Sequence, residues 1–188
     1  KISLKKFFTN DFSLRATVSR GFSPPTVAEL LPSTGVISTD LEAEYGWNYE
    51  MTASYNLFHR KLRLEATGFY FKLNNALVQR RDISGADFFV NAGDVRQKGL
   101  EITGDLLISS RKGFIDYYRV NAAYTYNHFR YGSFIKGVDD FSNKTVPSVP
   151  SNTLSVLGDI QIKNGVYSNL TFYMASKIFL NDANTATA

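Results

Sequence analysis

Residues 61–70 read Lys-Leu-Arg-Leu-Glu-Ala-Thr-Gly-Phe-Tyr, and apolar and polar side chains alternate along them one by one. The apolar set consists of Leu62, Leu64, Ala66, Gly68 and Tyr70, and the polar set of Arg63, Glu65 and Thr67. A period of two places each set on one face of a β-strand, whereas an amphipathic helix would need a period of 3.6. The stretch therefore predicts a strand with one apolar and one polar face.

The same alternation recurs on both sides of this stretch and predicts eight strands. They cover residues 2–8, 12–22, 43–57, 61–79, 88–108, 114–130, 152–162 and 166–180. Short connections alternate with long ones: the short ones are 9–11, 58–59, 109–113 and 163–165, and the long ones are 23–42, 80–87 and 131–151. Tight turns at one rim and long loops at the other are typical of an all-β, antiparallel, up-and-down transmembrane β-barrel.

Three of the short connections also predict how the strands pair. The predicted partners are Leu4 with Ala16, Ile2 with Val18, Ser54 with Arg63, Thr52 with Glu65, Leu154 with Met174, and Asp159 with Asn169. In each hairpin, apolar residues meet apolar residues and polar residues meet polar ones. Because a slip of one residue would turn every side chain to the other face, this agreement supports antiparallel hairpins.

A soluble antiparallel sheet with one wet face would show the same alternation. The predicted strands run to about 15–20 residues, however, against about 5–6 in soluble proteins. Aromatic residues also gather near both strand ends, as the two girdles of a membrane barrel do. Near the short turns these are Phe7, Phe8, Phe12 and Phe58, and near the long loops they are Phe22, Phe69, Tyr70, Phe71 and Phe129.

Ionisable residues occupy the polar faces of the predicted strands. They are Arg15, Glu50, Arg63, Glu65, Glu101, Asp105, Arg119 and Asp159. An Arg or Lys facing lipid at mid-depth costs about 2–4 kcal/mol. These charges are therefore predicted to face a wet lumen, and a lumen this charged suits a wide barrel.

The composition argues against several other classes. The chain has 188 residues, a net charge of +4 and no cysteine, so neither a disulfide framework nor a thiolate metal site is expected. Basic residues are scattered and do not form the patch that nucleic-acid binding needs. No apolar run reaches about 18 residues, no secretory signal opens the chain, and both ends appear cut. No phosphate loop or nucleophile elbow occurs, so no enzyme, metal site or cofactor is predicted.

Several segments resemble the carboxy-terminal barrel of TonB-dependent receptors. Residues 19–30, Ser-Arg-Gly-Phe-Ser-Pro-Pro-Thr-Val-Ala-Glu-Leu, are similar to the family's SRGFRAPT-x-x-EL passage. Residues 89–102, Phe-Val-Asn-Ala-Gly-Asp-Val-Arg-Gln-Lys-Gly-Leu-Glu-Ile, are similar to Y-x-NAG-x-x-x-x-KG-x-E. Residues 41–44 depart from the family's L-x-PE element, since Ala43 replaces the proline. The resemblance covers about residues 12–178.

The resemblance implies that residues 1–188 are a partial barrel domain, about eight strands of about 22, from the outer membrane of a Gram-negative bacterium. The plug domain, the early strands and the last strands would lie outside this sequence. The implied function is import of a scarce large ligand, an iron-siderophore-type chelate first of all, by energy-coupled transport. The implied partners are outer-membrane lipid, the ligand (an iron chelate, haem, cobalamin or an oligosaccharide) and the TonB complex through the plug.

Ligand contacts are expected on the long loops, since loops on rigid scaffolds carry function. Cationic and aromatic side chains there would suit an anionic, partly aromatic chelate. The candidates are Arg80, Arg81, Phe88, Phe89, His128, Arg130, Tyr131 and Lys136. The same residues could instead simply cap strand ends.

Two other hypotheses remain open at this point. A complete eight-stranded barrel could act as an adhesin, a pore or a membrane anchor. A soluble β-sandwich could act as a binding module.

The assignment of faces gives a first prediction. Leu64→Arg should block assembly of the polypeptide in the outer membrane, because position 64 meets lipid, whereas Thr67→Arg should be tolerated in a wet lumen. The amount of each variant in the outer-membrane fraction measures the effect. Equal tolerance of the two variants would contradict the assignment.

Overall fold

A computed structural model describes residues 1–91, 93–109, 113–136 and 138–188. Twelve strands and one short helix form the fold. The strands are β1 Ile2–Phe7, β2 Phe12–Ser23, β3 Glu44–Leu57, β4 Leu62–Asn74, β5 Leu77–Arg81, β6 Asp87–Asn91, β7 Asp94–Ser109, β8 Ile115–Tyr131, β9 Ile135–Lys136, β10 Asp139–Asp140, β11 Asn152–Ile162 and β12 Tyr167–Ala175. The helix, α1, covers Val27–Leu30. Among the described residues, no helix is long and apolar enough to cross a bilayer.

Eight strands form one antiparallel sheet in the order β1-β2-β3-β4-β7-β8-β11-β12. Each strand pairs with the next long segment along the chain, so the predicted up-and-down arrangement of eight strands is confirmed. The remaining four strands form two small hairpins, β5-β6 and β9-β10, within the long connections. The predicted short turn at 109–113 falls mostly on residues 110–112, which lie outside the described residues.

The two faces of the main sheet show the reverse of the exposure found in a soluble protein: large apolar side chains are exposed and polar side chains are covered. The apolar face of the sheet is the one that carries Leu4, Leu64 and Leu170. Its large side chains are exposed, Leu4 by 74% and Leu170 by 76%. On the polar face, the side of Ser13, Thr52 and Thr67, Thr52 is 3% exposed. The total accessible surface is 12,355 Å², against about 9,000 Å² for a compact protein of this mass. This arrangement argues against a soluble sandwich, whose apolar faces pack together.

The register confirms two of the three predicted hairpins. Leu4 pairs with Ala16 across the first, and Leu154 with Met174 across the last. The β3–β4 prediction is wrong by two residues, because Ser54 faces Glu65 and Thr52 faces Thr67.

The turn between β3 and β4 explains this error. Leu57 pairs with Leu62, so the turn spans residues 58–61 and is longer than predicted. Phe58, His59 and Arg60 all have left-handed backbone conformations, with φ of 52°, 55° and 67°. Such conformations are uncommon for residues other than glycine, so the turn length is not visible in the sequence. A shift of two residues leaves every side chain on its predicted face.

Two predicted long strands are broken near the long-loop end. The segment 61–79 divides at Asn75 (φ 55°) into β4 and β5, and the segment 88–108 divides at Gly93 (φ 68°) into β6 and β7. A Cβ on Gly93 would also collide with the backbone oxygen of Ser133, so both the bend and the close approach require glycine here. As a result, the predicted loop 80–87 is mostly a hairpin that leaves the plane of the main sheet.

The girdle interpretation placed four aromatic residues on the wrong face. Phe7, Phe69, Phe71 and Phe129 lie on the polar face, where the last three line a groove, so they belong to no lipid-facing girdle. The Phe69 ring lies across Gly99 of the neighbouring strand, where a Cβ would be 2.6 Å from the ring. Gly99 therefore marks no bulge: the β7–β8 ladder runs through it without a break.

Phe22 and Tyr70 of the predicted girdle at the long-loop end do lie on the apolar face. Four further rings lie near them on that face, and with Tyr70 they are between 38% and 47% exposed: Tyr45, Trp47, Tyr49 and Tyr126.

A capping box stabilises the N-terminal end of helix α1. The backbone N–H of Thr26 donates to Glu29 Oε2 (2.6 Å), and the backbone N–H of Glu29 donates to Thr26 Oγ1 (3.4 Å). These reciprocal bonds satisfy helix donors that would otherwise lack partners. They give a physical reason for the Thr-x-x-Glu spacing in the SRGF passage.

The contact of Gly99 with Phe69 predicts a contrast between two glycines of the sheet. Gly99→Ala should destabilise the sheet by about 1–3 kcal/mol, because the new methyl group meets both the Phe69 ring and the backbone oxygen of Tyr126. Gly68→Ala is the matched control, since no atom lies within 4 Å of its Cβ position. Folded fractions are measured by the mobility of unheated samples in detergent gels. A lower folded fraction for Gly68→Ala than for Gly99→Ala would contradict the packing.

Candidate functional site

The polar face of the sheet carries all eight ionisable residues singled out in the sequence. Register places on this face Arg15, Glu50, Arg63, Glu65, Glu101, Asp105, Arg119 and Asp159. Arg119 donates to Asp105 Oδ2 from both Nε (2.9 Å) and Nη2 (2.6 Å), and Asn121 donates to the same oxygen (3.2 Å). Opposite charges on adjacent strands are thereby paired across the sheet.

A second network joins β2, β3 and β4 on the same face. Glu65 Oε1 accepts from Arg63 Nη2 (2.9 Å) and from the Ser54 hydroxyl (2.7 Å). The Thr52 and Thr67 hydroxyls share a hydrogen bond of 3.0 Å, and Arg15 Nη2 donates to Thr52 (3.4 Å). These bonds hold polar side chains of three strands side by side, as expected for cross-strand neighbours.

An open groove of about 620 Å³ runs along this face. Its walls include Arg15, Glu50 and Glu101, together with the Phe69 and Phe129 rings. The two rings meet edge to face at 6.2 Å. The groove therefore offers charged groups, hydroxyls and aromatic surface along one side of the sheet.

A small apolar core closes the long-loop end of the polar face. Leu73, Val95 and Tyr131 are cross-strand neighbours at the ends of β4, β7 and β8. Val95 (3% exposed) and Tyr131 (0% exposed) pack with Ala76 and Phe134. Loop residues thus fold over the strand ends, and the strands fix the position of the side chains that the loops carry.

Arg80 lies at the centre of this loop cluster. Its guanidinium is stacked on the Phe134 ring (4.6 Å to the centroid) and forms an ion pair with Asp182. The Tyr131 hydroxyl donates to the other oxygen of the Asp182 carboxylate. Burial lowers the pKa of Arg80 from its ordinary value. Its Nε and Nη2 are buried and have no hydrogen-bond partner among the described residues.

A cavity of about 710 Å³ lies beside Arg80. Tyr131 and Asp182 line it, together with the apolar side chains of Val78, Pro147 and Leu180. A cationic donor among apolar and phenolic groups can bind an anion that also carries apolar or aromatic parts.

The predicted ligand contacts are only partly brought together. Arg80 and Tyr131 meet at this cavity, and Phe88 and Phe89 lie on β6 opposite Arg80 and Gln79. His128 and Arg130 lie on the apolar face, where Arg130 Nε donates to His128 Nε2 (3.1 Å). The side chains of Arg81 and Lys136 lie outside the described residues.

Two further residues of this site carry no signal in the sequence pattern. Asp182 lies beyond the last predicted strand, and Phe141 packs 5.5 Å from Phe134 within a long connection. Asn91 donates to the backbone oxygens of Glu42 (3.0 Å) and Asn75 (2.7 Å), and so ties two connections together. The N-A-G motif pointed to Asn91, although not to this role.

The turn of the β5–β6 hairpin is closed by Asp82. Its Oδ1 accepts from the Ser84 hydroxyl (2.6 Å), the Ser84 N–H (2.8 Å) and the Ala86 N–H (3.0 Å). The bond from the Ser84 hydroxyl is the main reason that the pKa of Asp82 lies below its usual value. The turn that presents Arg80 is therefore ordered by a carboxylate that stays ionised at neutral pH.

Comparison with solved structures identifies the fold. The siderophore receptor PiuA from Acinetobacter baumannii is 16% identical, with a TM-score of 0.71 over 98% of this chain and 27% of its own. The ferric yersiniabactin uptake receptor FyuA from Yersinia pestis is 18% identical, with a TM-score of 0.68 over 98% and 27%. The copper transporter OprC is 14% identical, with a TM-score of 0.68 over 94% and 25%.

The chain spans about a quarter of the length of these solved structures. The family model described as "TonB dependent receptor-like, beta-barrel" matches residues 1–188. That family is one of transport receptors of the Gram-negative outer membrane and not of enzymes. The sheet order, the reversed exposure of the two faces and this match agree: the chain belongs to the TonB-dependent receptors and forms part of their antiparallel β-barrel.

Proposed function

We propose that this chain is part of the wall of an outer-membrane receptor that imports an iron-siderophore-type chelate by transport coupled to the TonB complex. The observation that carries the proposal is the polarity of the sheet, with a charged face opposite an exposed apolar face. Lipid would cover the apolar face, and the paired charges would line a wet lumen. With those charges toward lipid instead, each mid-depth Arg would cost about 2–4 kcal/mol.

Residues 1–188 would supply about eight strands of a barrel of about 22. In the described part of the chain, β1 and β12 pair on one side only. An unpaired backbone group in hydrocarbon costs several kcal/mol, so both edges call for further strands. In this proposal the additional chain also contains the plug through which the TonB complex acts.

The cavity beside Arg80 would be the ligand-facing part of this segment. It lies at the long-loop end, over the polar face, where an extracellular ligand would enter. The positive charge of Arg80 at the cavity wall suits an anionic oxygen, and the nearby Tyr131, Phe88 and Phe89 suit an aromatic chelating group. The siderophore and metal receptors among the similar structures support this ligand class.

Uptake of radioactive iron tests the proposal. The gene is deleted in the native host, and cells receive the ferric form of the siderophore fraction from their own iron-starved culture. We expect deletion to reduce iron accumulation at least about tenfold, and a protonophore to reduce uptake by cells with the gene to the same level. Uptake that depends on the gene but resists the protonophore would instead indicate a passive pore.

The intact mass of the native polypeptide tests the partial-barrel proposal independently. We expect peptides of this sequence in a detergent extract of outer membranes, within a species several times heavier than 21.1 kDa. A membrane species near that mass would support a self-contained small barrel. Recovery only in the soluble fraction would contradict every membrane proposal.

The Arg80–Asp182 pair predicts the stability of the loop cluster. Asp182→Asn should leave a buried guanidinium without its counter-charge, a change that costs about 3–5 kcal/mol where water cannot enter. We expect faster proteolysis within residues 141–150 and weaker binding of the ferric siderophore fraction. Asp139→Asn, at an exposed position, is the matched control and should change neither. Equal proteolysis rates for the two variants would show that the pair does not hold the cluster.

A further inference from the structure

The apolar face changes its chemistry abruptly at the long-loop end. One cross-strand row, continuous over β2, β3, β4, β7 and β8, consists of Arg20, Trp47, Lys72, Arg96 and Arg130. The next row toward the short turns consists of Val18, Tyr49, Tyr70, Lys98 and His128. The row after that contains no ionisable side chain except the phenol of Tyr126: Ala16, Met51, Gly68, Leu100 and Tyr126. We call Lys72, Arg96, Lys98 and Arg130 the cationic belt.

The cationic belt is confined to one end of the strands. At the short-turn end, the corresponding row of the apolar face consists of Leu57, Leu62, Leu106, Val120 and Gly158. On β3, β4, β7, β8 and β11 this row of the apolar face therefore carries no positive charge. The asymmetry points to different surroundings at the two ends.

The belt has no protein counter-charge in the described ranges. None of its four members forms an ion pair with a carboxylate there. Arg96 Nη2 and Arg130 Nη1 donate instead to Asn143, to its side-chain oxygen (2.6 Å) and its backbone oxygen (2.7 Å). Asp94, one row farther out, accepts from the Ser133 N–H (3.0 Å).

This arrangement leaves like charges next to each other. Cross-strand neighbours such as Lys72 and Arg96 are about 5 Å apart between Cβ atoms, and like charges directly opposite each other destabilise a sheet. An anion bound between the strands would remove that repulsion.

An apolar groove begins directly below the belt. It has a volume of about 860 Å³, with Met51, Leu100 and Tyr126 in its walls and Lys98 and His128 at its long-loop end. Its floor is open at Gly68, because no atom lies within 4 Å of that residue's Cβ position. The groove can take an apolar chain whose polar end lies at Lys98.

We propose that the cationic belt and the Gly68 groove form a binding site for a phosphate-bearing lipid of the extracellular leaflet. Its phosphate lies among Lys72, Lys98 and Arg96, and one acyl chain lies in the groove. The assignment to that leaflet rests on the proposed receptor function, which places the long loops outside the cell. The belt supplies the charge complement, and a free anion would leave the groove unused.

Native mass spectrometry of the intact receptor in neutral detergent tests the site. The probes are dimyristoyl phosphatidic acid, dimyristoyl glycerol with the same chains and no phosphate, and inorganic phosphate. We expect phosphatidic acid to bind at least about tenfold more tightly than either of the other two. Equal binding of diacylglycerol would overturn the role of the belt, and equal binding of inorganic phosphate would overturn the role of the groove.

Two variants separate the two parts of the site. Lys72→Gln with Lys98→Gln removes two charges that make no hydrogen bond to another described residue. This double variant should weaken phosphatidic acid binding at least about tenfold, at about 1 kcal/mol per charge near an anionic headgroup. Gly68→Phe fills the groove and should weaken phosphatidic acid binding without changing inorganic phosphate binding. Unchanged lipid affinity in either variant would contradict the site.

Lys6→Gln with Lys61→Gln is the matched control, since it removes the same charge at the short-turn end of the strands. It should bind phosphatidic acid as the unmodified receptor does. An equal loss of phosphatidic acid affinity in this control would show that only the net charge of the receptor matters, and would overturn the proposal. Because lipid binding is measured on purified protein and iron uptake on cells, failure of either leaves the other result standing.

Discussion

The structure depends on one constraint, the need to pair every backbone N–H and C=O of a strand with a neighbouring strand where no water is available. Over most of the main sheet this pairing is continuous: β7, for example, is bonded to β4 over residues 94–106 and to β8 over residues 95–109, while the β8–β11 pair shifts register between Gln161 and Ile162. Strands that satisfy each other in this way need no packed core along their length, and the described core lies only at the long-loop end. The side chains of the sheet are free to separate by chemistry, with the apolar set on one face and the polar set on the other.

The polar face carries oppositely charged side chains in pairs. Arg119 with Asp105, and Arg63 with Glu65, place opposite charges at hydrogen-bonding distance on one side of the sheet. Exposed pairs of this kind contribute little stability, so their importance lies in keeping the surface wet and polar. On the apolar face, by contrast, the cations of the belt form no ion pair with a described carboxylate, and they stop one row above Gly68. The two faces therefore differ in chemistry: one is polar and carries paired charges, and the other is apolar up to its cationic belt.

The long loops add what a sheet by itself cannot provide, namely a small buried core and a cavity. That core forms only because the strand ends bring Leu73, Val95 and Tyr131 into one row on which the loops can pack. Arg80 is then stacked on Phe134 and paired with Asp182, which gives the loop end a charged group at a defined position. The main sheet is thus the rigid support, and the long connections carry the charged group and the cavity.

By itself the sequence determined the eight strands, their order, their faces and two of the three predicted hairpin registers. Alternation is a local property, since successive side chains of a strand point to opposite faces whatever lies elsewhere in the chain. Tertiary structure alone decided the break at Asn75 and the contact of the Phe69 ring with Gly99. It also decided that Arg80 meets Asp182, a partner far away in the chain. Each of these depends on what a neighbouring strand or loop brings to the same place, and no periodicity in the sequence records that.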